Sequence, residues 1–201
     1  MILIEVEADN IRSNNKLKKP HLVLFAGPNG SGKTTLYYRQ FSEKRLVNIE
    51  YVNTDEYSAE LGSEVAGARK AILQRERLIS NGTSFVTETT LAGRSALRLL
   101  SKAAAKVFVT TVIYVCTSSP DINIERVARR VRAGGHDVPK DAIVRRYYDS
   151  LKNLHTAMRV ANIAHAFSSD CVTTRMFSAL RGRVSVRSKC GLPIWVPDTI
   201  G

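Results

Sequence analysis

The 201-residue chain carries a formal net charge of +12, and its length suits one well-buried domain and is short for two. At 44% hydrophobic and 24% charged residues the composition is that of an ordinary globular protein, and no apolar run approaches the roughly 18 residues of a membrane-spanning helix. The positive charge fits nucleic acid or anionic small molecules; arginines concentrated between Arg126 and Arg146 argue for a local anion site over a general nucleic-acid face.

Residues 1–19 read as a lead-in, with a short strand over 1–6 and a polar, basic stretch over 10–19. The domain proper is expected over 20–201. Residues 21–26 form the first core strand, 33–41 a helix and 47–53 the second strand. Leu61, Val65, Ala68, Ile72 and Ile79 recur at helical spacing, which predicts a helix burying that stripe and ending at Asn81-Gly82. Residues 84–87 are a third strand, 95–105 a helix, and 107–116 a fourth strand rich in β-branched residues. Ser119 followed by Pro120 opens a helix that turns Ile124, Val127 and Val131 one way and stops at Gly134-Gly135. Pro139 starts the next helix, with the stripe Ile143, Tyr147, Leu151, Leu154 and Met158. Residues 163–167 are the last core strand. In the tail, 183–186 suggests a strand and 192–195 an apolar plug. Strands alternating with helices predict an α/β fold, a parallel sheet of about five strands flanked by helices.

Glu5, Glu7 and Asp9 do not resemble a signal peptide, and Cys116, Cys171 and Cys190 have no metal-binding spacing. A cytoplasmic protein with reduced thiols is expected.

Gly27-Pro28-Asn29-Gly30-Ser31-Gly32-Lys33-Thr34 fits G-x-x-x-x-G-K-[ST], the phosphate-binding loop. It follows a predicted strand, and Thr35 continues into a helix. That context makes a cradle of backbone N–H groups for a polyphosphate. Lys33 is then expected at the β- and γ-phosphates of ATP, and the Thr34 hydroxyl on Mg²⁺.

Asp55 lies past the second strand, on the sheet edge where open parallel sheets bind ligands. It reads as the acceptor of a hydroxyl proton, as a Mg²⁺ partner, or as a helix N-cap before Glu56-Tyr57. Glu88 closes the third strand, with Thr89 and Thr90 beside it. It reads as an acceptor-binding carboxylate or as a cap. Arg126 and Arg130 share a helix face, Arg129 and Arg132 flank them, and Arg145 and Arg146 follow beyond the Gly-Gly turn. Residues 119–148 read as a helical lid carrying arginines over the phosphates, or as a solvated basic face. His136 stands in that connection as a substrate ligand or a structural hydrogen-bonder.

Taken together these segments resemble the zeta-toxin family of phosphate-loop kinases, in its small bacterial branch. The resemblance rests on residues 26–35, Asn53-Thr54-Asp55, Thr87-Glu88-Thr89-Thr90-Leu91, Arg126 to Val131, Gly134-Gly135-His136-Asp137-Val138-Pro139, Arg145-Arg146-Tyr147 and Ser150-Leu151-Lys152-Asn153-Leu154. It implies transfer of the ATP γ-phosphoryl to a hydroxyl of a UDP-N-acetyl sugar, with Mg²⁺. Asp55 becomes the base and Glu88 a substrate-binding carboxylate. Arg130 or Arg132, together with Arg145, neutralises the moving phosphate. It also implies an epsilon-type antitoxin partner in toxin–antitoxin pairs. Other readings are a kinase of the same fold for a sugar acid, antibiotic or nucleoside, and a regulatory or nucleic-acid-associated NTPase.

Overall fold

The computed structural model describes residues 19–39, 49–171, 173–181, 183–187 and 195–196. Residues 1–18 of the lead-in, the far end of the first predicted helix, the start of the second predicted strand, Cys190 and residues 192–194 of the plug lie outside them.

The sheet is organised around β1 (His21–Ala26). Side chains alternate across a strand, so Leu22, Leu24 and Ala26 enter one core while Val23 and Phe25 enter another. Both faces of β1 are therefore covered, which a central parallel strand requires. It pairs in parallel with β3 (Phe85–Thr89) on one side and β4 (Val109–Cys116) on the other. β2 (Glu50–Val52) extends the sheet beyond β3, and β5 (Ile163–Ser168) extends it beyond β4, both parallel.

The expectation of about five strands is corrected to seven, in the order β2-β3-β1-β4-β5-β6-β7. β6 (Thr174–Leu180) returns antiparallel to β5, and β7 (Arg183–Arg187) pairs antiparallel to β6. The parallel strands were legible from the helices between them. β6 and β7 have no helix between them, and only β7 was read from the tail.

Helix α1 (Lys33–Tyr37) covers one face through Leu36 and Tyr37. The sheet edge leads from β2 into α2 (Thr54–Leu61) and α3 (Glu64–Ser80). Helices α3, α4 (Arg94–Ala105) and α6 (Lys140–Val160) fill the other face with Ala71, Leu78, Leu100, Leu154 and Met158. Trp195 and Val196 are buried in the same core, as the apolar plug anticipated. α5 (Pro120–Arg132) and α6 share a small separate core of Val127, Val138, Ala142 and Ile143. Among the described residues no helix is long and apolar enough to cross a membrane.

The predicted stripe over 61–79 is also corrected. Leu61, Val65 and Ile72 are 45%, 81% and 54% exposed, and the buried positions of α3 are Gly67, Ala71, Leu78 and Ile79. Leu61 is separated from the other four, because Gly62 ends α2 in the left-handed conformation and the Ser63 hydroxyl caps α3 by accepting from Ala66 N; of those four, Ile79 is buried as expected. Gly67 then faces α2 so closely that a Cβ there would lie 2.3 Å from Ser58 Oγ. Close helix contact, rather than the count of apolar residues, selected the buried face.

Candidate active site

The loop from Gly27 to Thr34 is fixed from below before any ligand enters. Gly27 N donates to Thr89 O of β3 at 3.2 Å. Gly27 has a φ of +138°, and a Cβ on it would lie 2.0 Å from Val115 O of β4. Gly30 has a φ of +75°, and its Cβ would lie 2.6 Å from Asn123 O of α5. A side chain at either position would lift the loop off the sheet. Gly32 caps α1 without a side chain, leaving the first-turn N–H groups free for an anion.

Asn123 is the anchor that sequence reading missed. It is fully buried, donates from Nδ2 to Asn29 O, and accepts from Thr117 Oγ1. The neighbouring brace is Ser169, whose hydroxyl donates to Ser31 O at 2.7 Å. Asn123→Ala leaves the Asn29 carbonyl and the Thr117 hydroxyl without that partner. It should cost about 1–3 kcal/mol of stability, read by urea denaturation. A variant as stable as the wild type would show that the anchor is dispensable.

Lys33 Nζ donates to Pro28 O at 2.9 Å. Burial holds its pKa below the ordinary lysine value, while the charges of Glu88 and Asp55 pull it back up and Arg130 pushes it down. Four of the expected residues therefore share one electrostatic centre. Thr34 Oγ1 donates to Glu88 Oε2 at 3.0 Å, and Tyr51 OH donates to Glu88 Oε1. Burial and the Glu88 charge raise the Tyr51 pKa, which keeps that phenol a donor. Glu88 is thus an acceptor inside β3 rather than a helix cap.

Asp55 is not the cap of α2 either. Asn53 is the N-cap, its Oδ1 accepting from Asp55 N at 3.0 Å, and its Nδ2 donates to Glu56 Oε1 at 3.1 Å. The Asp55 carboxylate is exposed and makes no hydrogen bond or ion pair among the described residues. Thr89 and Thr90 turn their hydroxyl oxygens to Leu91 N and Ala92 N at 3.1 and 3.5 Å, serving the bend where Leu91 takes a φ of +58°.

The arginines divide by position. Arg126 lies beneath the loop, donating to Ser169 Oγ, Ser169 O and Asp170 O. Arg130 is exposed and donates to His136 O at 2.7 Å. Arg132 and Arg145 are exposed, with no hydrogen bond or ion pair among the described residues. Arg146, passed over in favour of Arg145, reaches the loop itself, with Nη1 donating to Asn29 Oδ1 at 3.1 Å. His136 Nε2 lies 3.1 Å from Glu64 Oε1, joining the α5–α6 connection to the first turn of α3. Among the described residues no group of three or more His, Cys, Asp or Glu side chains is placed to hold a metal. A hydroxyl–carboxylate pair, Thr34 with Glu88, is nonetheless the donor set suited to a hard divalent cation carried in with a polyphosphate.

A family model described as AAA_33, an AAA domain, matches residues 22–153. A Haemophilus influenzae protein described as uncharacterized is 28% identical over 131 residues, which are 62% of this chain and 91% of that protein. Among solved structures, a chain of the AvrRxo1-ORF1:-ORF2 complex with ATP superposes with a TM-score of 0.71 at 14% identity, covering 89% of this chain. This chain spans only 63% of that one. A chain of the PezAT chromosomal toxin–antitoxin system of Streptococcus pneumoniae matches with a TM-score of 0.56 at 15% identity, over 87% of this chain and 80% of that one. At such identities the likeness is one of fold, and the fold is that of the phosphate-loop kinases.

Proposed function

The chain belongs to the AAA_33 family of AAA domains, and from that premise we propose that it is an ATP-dependent phosphotransferase acting on the hydroxyl of a small molecule. The observation that carries this reading is the phosphate loop with Thr34 bonded to Glu88 at the end of β3, beside an exposed Asp55 carboxylate in the first turn of α2 that makes no hydrogen bond or ion pair among the described residues. A protein that only binds nucleotide has no use for an uncommitted carboxylate at that point. A kinase needs one to orient the attacking hydroxyl.

In this mechanism the loop N–H groups and Lys33 hold the β- and γ-phosphates. Thr34, backed by Glu88, would hold Mg²⁺, which when bound would supply positive charge to the phosphates. Asp55 accepts the proton of the acceptor hydroxyl as its oxygen bonds to the γ-phosphorus. The bond from that phosphorus to the β–γ bridging oxygen breaks, and ADP leaves. The helices α5 and α6 act as the lid, with Arg130 and Arg146 at the phosphates and Arg132 and Arg145 at its outer edge. Glu88, placed by sequence on the acceptor, moves in this reading to the metal side. Thr89, Thr90 and His136 remain for the acceptor.

The acceptor we favour is a UDP-N-acetyl sugar, as in the small zeta-toxin branch, in a cytoplasmic enzyme paired with an antitoxin. Its support is the sequence resemblance together with fold likeness to a chain of a toxin–antitoxin system. Purified protein with ATP–Mg²⁺ and a panel of UDP-sugars, sugar acids, nucleosides and antibiotics tests it by mass spectrometry. UDP-N-acetylglucosamine should gain one phosphate. Phosphate appearing on another compound would replace that acceptor, and ATP consumption with none phosphorylated would return the chain to the regulatory NTPases.

A further inference from the structure

The edge strand β2 has only three residues, and its pairing with β3 ends at Val52 opposite Thr87. The segment that carries Asp55 begins immediately beyond, where the ladder no longer holds it. Arg75 occupies that gap. It lies on the buried side of α3, four residues after Ala71 and three before Leu78. Its Nε donates to Thr87 Oγ1 at 2.9 Å, and its Nη2 donates to Thr54 Oγ1 at 3.0 Å and Glu88 O at 3.5 Å. Thr87 is fully buried and its hydroxyl donates to Val52 O at 2.7 Å. One planar fork therefore ties the residue before Asp55 to the backbone of Glu88.

The partners of this cation are all neutral. Arg75 makes no ion pair among the described residues, and burial lowers its pKa. A guanidinium placed for stability alone would ordinarily be paired with a carboxylate when removed from water. Here it stands between Thr54, the residue before Asp55, and the backbone of Glu88.

We propose that Arg75 is a positioning residue for phosphoryl transfer, locking the start of α2 to the end of β3 so that Asp55 and Glu88 keep a fixed separation across the phosphate loop. The assignment rests on the kinase reading above. The fork geometry is essential, because Nε and Nη2 reach β3 and the first residue of α2 at once and a lysine ammonium cannot reproduce that pair of fixed directions.

The test compares wild type, Arg75→Met, Arg75→Lys and Thr54→Val in ATP–Mg²⁺ turnover, with UDP-N-acetylglucosamine or water as acceptor, and in amide exchange of the free proteins. Arg75→Met should lower kcat by about 10²-fold, the cost of a misplaced catalytic group, with the KM for ATP unchanged. Arg75→Lys should stay impaired. Thr54→Val should lose less, and adding it to Arg75→Met should cost little more, because the two share one hydrogen bond. Amides over residues 53–57 should exchange faster in Arg75→Met. Wild-type kcat in Arg75→Met, full rescue by lysine, or kcat and KM moving together would overturn the proposal. Where Arg75→Met does not fold, Thr54→Val decides: undiminished kcat with unchanged exchange overturns it. A wild type without turnover on either acceptor counts against the kinase reading, and the exchange data still decide whether Arg75 holds the start of α2 to the end of β3.

Discussion

Lys33→Ala is expected to lower phosphoryl transfer by about 10²–10³-fold, the usual loss when one donor to a developing oxyanion is removed. The folded protein should not suffer. In the free state Lys33 is half-buried, its side-chain hydrogen bond is to Pro28 O, and burial works against its charge. Deleting it removes a partly desolvated cation, while Glu88 keeps its donors Tyr51 and Thr34. Without nucleotide, the melting temperature should therefore hold or rise slightly. With ATP–Mg²⁺ the wild type should gain thermal stability by mass action, and the variant should gain much less. The two measurements separate a binding role from a folding role. Wild-type turnover in Lys33→Ala would remove the phosphate loop from the mechanism.

The parts of this site that were legible in the sequence are those built from neighbours in the chain. A strand, a glycine turn and a helix start lie within one short segment, and β1 and α1 form there. Ser119 with Pro120 capped α5 as read, and of the stripe Ile143, Tyr147, Leu151, Leu154 and Met158 all but the half-buried Leu151 were buried as read. Spacing could not supply partners that are remote in sequence. Asn123 meets Asn29 across 94 positions, and Arg146 meets it across 117.

A signal for the missed residues was nevertheless present. Arg146 falls among Ile143, Tyr147 and Ser150, all buried on one side of α6, whereas Arg145 points away. Asn123 precedes buried Val127 by one helical step, and Arg75 continues the series Gly67, Ala71. Each is a polar residue on the inward face of a helix. Such a residue must find a buried partner, and here those partners are the loop and the strand ends. The stripe over 61–79 failed for the opposite reason. It put Leu61 on the same helix as the rest, although Gly62 ends α2 before α3 begins, and within α3 the close contact of Gly67 with Ser58 turns Ala71 and Leu78 inward and leaves Val65 and Ile72 exposed, while Ile79 is buried as expected.

The same local capping decides what Asp55→Asn should do. Because Asn53 already caps α2, the Asp55 side chain is not needed to start the helix. Its charge in the first turn contributes only about 0.3–1 kcal/mol through the helix dipole, so the variant should fold with nearly wild-type stability. Asparagine keeps the size and loses the ability to take a proton. General-base contributions of about 10²–10⁴-fold set the expected fall in kcat, with ATP affinity retained because the loop and Lys33 are untouched. Asp55→Glu separates position from basicity. It restores the carboxylate one methylene further out, and should recover only part of the rate if the Asn53 cap and the Arg75 fork hold the strand end rigid. Undiminished kcat in Asp55→Asn would remove Asp55 as the base and leave Glu88, bonded to Thr34 and Tyr51, as the remaining carboxylate at Lys33. A fall in ATP affinity matching the fall in kcat would place Asp55 on the nucleotide and its metal rather than on the acceptor proton.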